Sequence, residues 1–224
     1  SFRCVPQVHG AVRNAFDHVF STLLIEANSS TDNPLVFSET NEILSGGNFH
    51  GQIVATVLDY LAIAVSEIAS ISERRVEKLV NPHMSGLPAF LSQSSGLNSG
   101  YMIPHVVSAA LVNENKVLSS PASVDSIPTS AEKEDHVSMG MTSALKLVKI
   151  VKNVSYVLAI ELMAAVEGVE FHLPLKGGIG IRAAESWLRS YVSPMKNQDR
   201  SLSTEIEQIS QKLLDGELVA SLET

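Results

Sequence analysis

The sequence predicts an all-α fold, a bundle of long, roughly antiparallel helices with ordered connecting loops and at most one small β-hairpin. Apolar residues recur every three or four positions through several long stretches, the period that gathers them on one face of an α-helix. Between the stretches lie turns rich in Gly, Pro, Asn and Ser, which break helices rather than pair strands. With 45% apolar content over 224 residues, the chain can also bury a sizeable core.

The first helix is expected from Val5 to Asn28, where Val8, Val12, Phe16, Val19, Leu23 and Leu24 share a core-facing side. Thr31-Asp-Asn-Pro34 must stop it, because Asp and Asn bond locally to backbone and Pro disfavours helix in the residue before it. Leu35-Val-Phe37 and Glu42-Ile-Leu44 flank a polar tip that suits a hairpin, and the glycine-bearing segment Ser45-Gly-Gly-Asn-Phe-His-Gly51 follows. From Gln52 to Val80 a helix is apolar around most of its circumference, with a narrow polar stripe through Asp59, Ser66, Ser70, Glu73 and Glu77. Such a helix belongs inside a bundle or at a subunit interface. Asn81-Pro82 ends it, and His83 to Asn98 reads as a loop. Helical period resumes from Tyr101 to Leu118, with Pro104 tolerable in the opening turn. A second loop, Ser119 to Ser130, leads into Ser130-Ala-Glu-Lys-Glu-Asp-His-Val-Ser-Met139. Ala144, Val148, Val151, Leu158, Leu162 and Ala165 then mark a long helix whose first half carries a solvated stripe at Lys146, Lys149 and Lys152. Beyond Pro174 and Gly177-Gly178 come two shorter amphipathic helices, through Ala183, Trp187 and Tyr191 and through Leu202, Ile206, Ile209 and Leu213, with Gly216 as a C-cap.

A formal net charge of −8, without a Lys/Arg block, argues against nucleic acid or an anionic membrane surface as partner and leaves small molecules and proteins. Asp59 and Glu67 sit inside the longest apolar run, where each would be costly in hydrocarbon, so that run reads as a helix buried in protein. The start shows no signal peptide, because Arg3, His9 and Arg13 interrupt any apolar run. The single cysteine, Cys4, suits a cytoplasmic location and reads as a buried structural thiol.

Chemistry is concentrated where polar turns meet helix ends, at Ser45 to His50, Leu97 to Met102 and Pro121 to Met139. Helix ends leave backbone groups unpaired, and side chains placed there can face a shared cavity. Within the last segment Glu132, Glu134, Asp135 and His136 crowd together. They suit a general acid/base pair, a substrate anchor or a charged helix start. Glu134 and His136 are two apart, which is not the spacing of a helical zinc pair, so no metal is expected. Ser94-Ser-Gly96 and Ser99-Gly100 lack the Gly-x-Ser-x-Gly elbow of a nucleophile.

Arg3-Cys-x-Pro-Gln7, Thr31-Asp-Asn-Pro-Leu-Val-Phe37, Ser45-Gly-Gly-Asn-Phe-His50, Ser72-Glu-Arg-Arg75, Leu97-Asn-Ser-Gly100, Glu114-Asn-Lys116, Ser123-Val-Asp-Ser-Ile-Pro-Thr-Ser130 and Glu134-Asp-His-Val-Ser-Met139 closely resemble histidine ammonia-lyase, in its C-terminal half only. The resemblance runs in register from Ser1 to about Glu170, with a looser tail. It implies that 1–172 is the C-terminal part of the lyase helical bundle and that 173–224 adds shorter helices packed on it. It implies elimination of ammonia from L-histidine to give trans-urocanate, in a homotetramer whose active sites are each shared by loops of three subunits. The family's electrophile, 4-methylidene-imidazol-5-one, forms from an internal Ala-Ser-Gly, and no Ala-Ser-Gly occurs in this sequence. The family's Tyr base precedes the position matching Ser1. The chain therefore resembles a fragment that needs a complementary N-terminal half and is inactive alone.

By the same resemblance, Arg3 matches the arginine that holds the substrate carboxylate, a two-pronged interaction suited to guanidinium. Phe49 matches an aromatic packed by cofactor and substrate, with Asn48 and His50 beside it. Glu134 matches the acidic residue near the substrate's amino group and imidazole, and is the catalytic candidate. Gln7, Asn98 and Ser130 take supporting roles, while Asp135 and His136 hold the loop and helix start. The chain departs from the pattern at Lys133, where Gln is common, at Phe2 for Leu, and at Pro104-His105 for Ala-Gln. The Glu-Asp-His-Val-Ser-Met run favours histidine over phenylalanine or tyrosine as substrate. The alternatives are another aromatic amino-acid lyase or aminomutase, or a non-catalytic helical assembly module.

Overall fold

A computed structural model describes residues 1–195 and 198–222. The chain is mostly helical, with one two-stranded antiparallel sheet among the described residues. The helices are α1 (Val5–Ala27), α2 (Gln52–Val80), α3 (Pro82–Ser85), α4 (Met102–Leu118), α5 (Gly140–Glu170), α6 (Ile179–Arg189), α7 (Ser203–Leu214) and α8 (Glu217–Leu222). Strands β1 (Leu35–Phe37) and β2 (Glu42–Leu44) pair as the expected hairpin, Leu35 opposite Leu44 and Phe37 opposite Glu42.

Boundaries follow local chemistry. Asn81 ends α2 and caps α3, its side chain accepting the N–H of His83 at 3.1 Å, while Pro82 takes the first helical position. Pro104 stands in the first turn of α4, where its missing N–H costs no helical bond. Gly216, at φ +76°, closes α7, its N–H reaching the Leu213 carbonyl at 3.2 Å, but the chain then re-enters helix as α8. Two further elements interrupt the stretch read as loop: the short α3 and a 3₁₀ turn at Ala89–Leu91.

The chain divides into two compact units. A core unit comprises residues 1–5, 66–115 and the chain from Val151 onward. A loop unit comprises Pro6–Val65 and Lys116–Ile150. The core unit holds the main apolar cluster, in which Val76, Tyr101, Ile160, Met163, Leu188 and Ile209 are at most 1% exposed. Burying each such side chain contributes about 1.5–3 kcal/mol. Several polar groups inside this unit are paired: Glu161 accepts from Arg75 Nη2 at 2.7 Å and Ser72 Oγ at 2.6 Å, and Glu167 pairs with Arg189 at 3.0 Å. In the loop unit Ala15, Val19, Ala55, Val57 and Ala62 are buried.

Several expectations need correction. On α1 only Ala15 and Val19 are buried, while Phe16 and Leu24 are 55% and 53% exposed, left uncovered among the described residues. Helix α2 is long and apolar enough to cross a membrane, and 28% of its most apolar window is buried within this chain, which leaves the subunit-interface alternative for its uncovered face. Within its polar stripe, Asp59 and Glu73 are each 2% exposed and ion-paired. Lys146, expected in a solvated row, is instead paired with Asp59 and 16% exposed, whereas Lys149 and Lys152 are exposed. Cys4 is exposed, not a buried structural thiol.

Candidate active site

In the loop unit, segment 45–51 is tied down from two directions. The Asn33 side-chain carbonyl accepts Ser45 Oγ at 3.0 Å and the Gly46 N–H at 3.1 Å, and the Asn48 amide donates to the Ser30 carbonyl. The Thr-Asp-Asn-Pro turn thus acts as an anchor as well as a helix stop. Gly51 precedes α2 without a side chain for a spatial reason: a Cβ there would lie 3.1 Å from Ser138 Oγ. The start of α2 therefore approaches the segment leading into α5 closely, and helix N-termini present unpaired backbone donors.

The second segment, 119–139, is fastened to the same helices. The Asp59 carboxylate accepts the Ser123 N–H at 2.7 Å and lies 3.0 Å from Lys146 Nζ. Burial pushes the Asp59 carboxyl up, but the Ser123 hydrogen bonds and the Lys146 ammonium outweigh it and hold the group below its ordinary value. Gln52 Nε2 donates to the Ser123 carbonyl at 2.9 Å, and Ser126 Oγ accepts the Val137 N–H at 2.9 Å.

Between these fastenings, the acidic stretch does not start a helix. Ser130, Ala131 and Glu132 form a 3₁₀ turn with φ of +53°, +56° and +68°. L-residues in the left-handed region cost roughly 1–2 kcal/mol each, so the surroundings must impose this conformation. A bridge from the Thr129 N–H to the Glu134 carbonyl, 2.9 Å long, closes the turn and sets where Glu134 begins. Glu134 is half-buried, and its Oε2 is shielded from solvent without a hydrogen-bond donor among the described residues. A carboxylate oxygen left so is an acceptor suited to a cationic ligand group.

Of the expected site residues, the loop unit brings together His50 and the acidic loop. His50 Nε2 lies 3.0 Å from the His136 carbonyl oxygen, and the two imidazoles stack at 5.8 Å and 3°. Phe49, between Asn48 and His50, is 49% exposed. Arg3 is exposed in a 3₁₀ turn at Phe2–Cys4 and belongs to the core unit. So does Leu97 to Met102, where Ser99 and Gly100 donate N–H bonds to Asp199 at 2.6 and 2.9 Å and border a cavity of about 570 Å³ lined by Ile103, Val107, Tyr156 and Leu202. Two of the three polar turns thus meet within one unit, and the third belongs to the other. Gln7 is exposed on α1, and Asp135 is exposed in the loop. Asp59, Lys146, Gln52 and Ser126 were not among the expected site residues. A charge within an apolar run was the one signal pointing to Asp59. Among the described residues no group of three His, Cys, Asp or Glu side chains is arranged to hold a metal ion.

Comparison with known proteins finds relatives across the whole of this chain. The histidine ammonia-lyase of Alkaliphilus oremlandii is 52% identical over 223 residues, covering 100% of this chain and 44% of that protein. The crystal structure of histidine ammonia-lyase from Trypanosoma cruzi is 47% identical, with a TM-score of 0.94 over 99% of this chain and 44% of that one. The tyrosine aminomutase of Streptomyces globisporus, 36% identical, also gives a TM-score of 0.94, over 99% of this chain and 42% of its own. The chain therefore spans less than half the length of the relatives it matches. A family profile described as aromatic amino acid lyase matches residues 1–190. The chain belongs to the aromatic amino acid lyase family.

Proposed function

We propose that this chain is the substrate-binding portion of a histidine ammonia-lyase, an enzyme that eliminates ammonia from L-histidine to give trans-urocanate. The observation that carries the proposal is Glu134, whose shielded, unpaired Oε2 stands on a loop held in an unfavourable backbone conformation. A carboxylate so placed accepts from the substrate's ammonium or imidazole N–H and helps manage the proton on the departing amine. Arg3, by its family match, supplies a guanidinium suited to a substrate carboxylate in the assembled enzyme. The exposed Phe49 is suited to pack against the substrate's flat imidazole. Asn48 and His50 stand beside Phe49 in the sequence. Identity of 47–52% to two histidine ammonia-lyases supports histidine as substrate.

The sequence contains no Ala-Ser-Gly, so it does not supply a methylidene-imidazolone, and the residues present fit a substrate wall rather than the cofactor's own seat. That group, when bound, supplies the electrophile. It and the base for the β-proton come from a complementary N-terminal portion, and the assembled enzyme is a cytoplasmic homo-oligomer. The exposed apolar side chains Phe16, Phe20, Ile63 and Leu145 are consistent with surfaces that such an assembly covers.

Co-expression with a histidine ammonia-lyase N-terminal portion is the test. The complex is expected to form trans-urocanate from L-histidine, the chain alone to form none. Urocanate from the chain alone contradicts the dependence on a second portion. Turnover of tyrosine or phenylalanine instead of histidine, in a substrate panel, gives the reading to an aromatic lyase or aminomutase, and turnover of none gives it to an assembly module.

A further inference from the structure

His50 has both ring nitrogens engaged within the protein. Its Nε2 lies 3.0 Å from the His136 carbonyl oxygen, which can only accept, so Nε2 carries the proton. Its Nδ1 lies 3.3 Å from the Gln52 backbone nitrogen, an N–H that can only donate, so Nδ1 is the bare acceptor. The two contacts together assign the neutral Nε2–H tautomer. Gln52 is the first residue of α2, so the ring also satisfies a helix N-terminal donor that has no partner within the helix. The parallel stack of His50 on His136, at 5.8 Å, fixes the plane in which the Nε2–H points.

We propose that His50 is a positioning residue that, as its Nε2–H tautomer, fastens the Glu134 loop to the start of α2. The clamp acts two residues beyond Glu134, on the far side from the Thr129 bridge that precedes it. Glu134 is then held between two backbone attachments, the Thr129 N–H to its own carbonyl and the His50 Nε2–H to the His136 carbonyl. The first fixes the left-handed turn. The second stops the loop from swinging away from α2. His50 thus reaches the reaction through Glu134 rather than through the substrate, so the inference rests on the role proposed for Glu134.

Three substitutions separate this role from a merely structural one. His50→Ala removes the donor, and a loop displaced by about 1 Å costs on the order of 100-fold in turnover. His50→Gln places an amide N–H at the reach of Nε2 and is expected to recover most of that loss, whereas His50→Asn, whose amide stops near the Nδ1 position, is not. In the co-expressed lyase the His50→Ala loss should fall on kcat more than on KM, and should largely vanish in a Glu134→Ala background, because the two residues act as one unit. On the chain itself, hydrogen exchange should show the Val137 amide and its neighbours losing protection in His50→Ala and regaining it in His50→Gln, and ¹⁵N spectra should show the imidazole whose signals are lost in His50→Ala to be the Nε2–H tautomer, an Nδ1–H ring there overturning the clamp. A His50→Ala loss that persists undiminished without Glu134, or equal behaviour of Gln and Asn, overturns the clamp. If Glu134→Ala leaves turnover unchanged, the Glu134 assignment fails instead, while the exchange and tautomer results still decide whether His50 fastens the loop.

Discussion

Removing the Asp59 carboxylate is expected to loosen the loop that carries Glu134 by way of α2. Asp59 is 2% exposed, accepts the Ser123 N–H at 2.7 Å, and lies 3.0 Å from an ammonium, that of Lys146, which is itself 16% exposed. Asp59→Ala leaves that N–H short of its acceptor and the ammonium short of its counter-charge. An unsatisfied buried donor costs about 1–3 kcal/mol and a broken buried ion pair about 3–5 kcal/mol, with overlap between the two, so a loss of about 3–5 kcal/mol is expected. Asp59→Asn also removes the counter-charge of Lys146 but keeps an acceptor for Ser123, so it is expected to cost less than Asp59→Ala by about 1–3 kcal/mol, the cost of the unsatisfied donor. Urea unfolding followed by circular dichroism measures both, and Asp59→Ala combined with Lys146→Ala should cost less than the sum of the single changes by about 1 kcal/mol or more. The pH dependence has a definite sign. Because the folded carboxyl is held below its ordinary value, Asp59 adds stability above the unfolded value of about 3.9 and loses it as pH falls through the folded value. The gap between wild type and Asp59→Asn should therefore narrow in acid. An Asp59→Ala protein within about 0.5 kcal/mol of wild type would refute the reasoning.

Two further changes probe the core unit. Gly100→Ala puts a Cβ 2.4 Å from the Phe90 carbonyl oxygen at φ +53°, so both the contact and the backbone oppose it, and a loss of at least about 2 kcal/mol in thermal or urea unfolding is expected. Arg75→Met strips Glu161 of two guanidinium bonds and leaves it the Ser72 hydroxyl alone among these partners, which should cost about 2–4 kcal/mol, most of it recovered when Glu161→Gln is added.

Periodicity made the helices legible: α2 runs Gln52–Val80 as its apolar pattern and the Asn-Pro stop require, and the hairpin falls on the two expected apolar triplets. What the pattern could not convey is which apolar face finds a partner. Phe16 stands in helical register with Val19, yet Val19 is 2% exposed and Phe16 55%, a difference set by neighbours distant in sequence. The polar residues misled for the same reason. Lys146 reads as one of a solvated row with Lys149 and Lys152, and only the fold brings Asp59, 87 positions away, to its ammonium. The acidic stretch was visible as a crowding of charge, but its left-handed turn was not, because Ser, Ala and Glu carry no signal for positive φ. The roles of Asn33 and Gln52 as fastenings were hidden as well, since Asn at a turn and Gln at a helix start are what capping and solvation alone would select.

The account turns on Glu134, and its most direct test is kcat/KM for L-histidine in the enzyme assembled from this chain and a complementary N-terminal portion, with and without Glu134→Ala. A carboxylate that binds the substrate's cationic groups and manages the amine proton contributes about 100- to 10,000-fold, and a loss in that range is expected with the fold intact by circular dichroism. A Glu134→Ala enzyme within about threefold of wild type would contradict it.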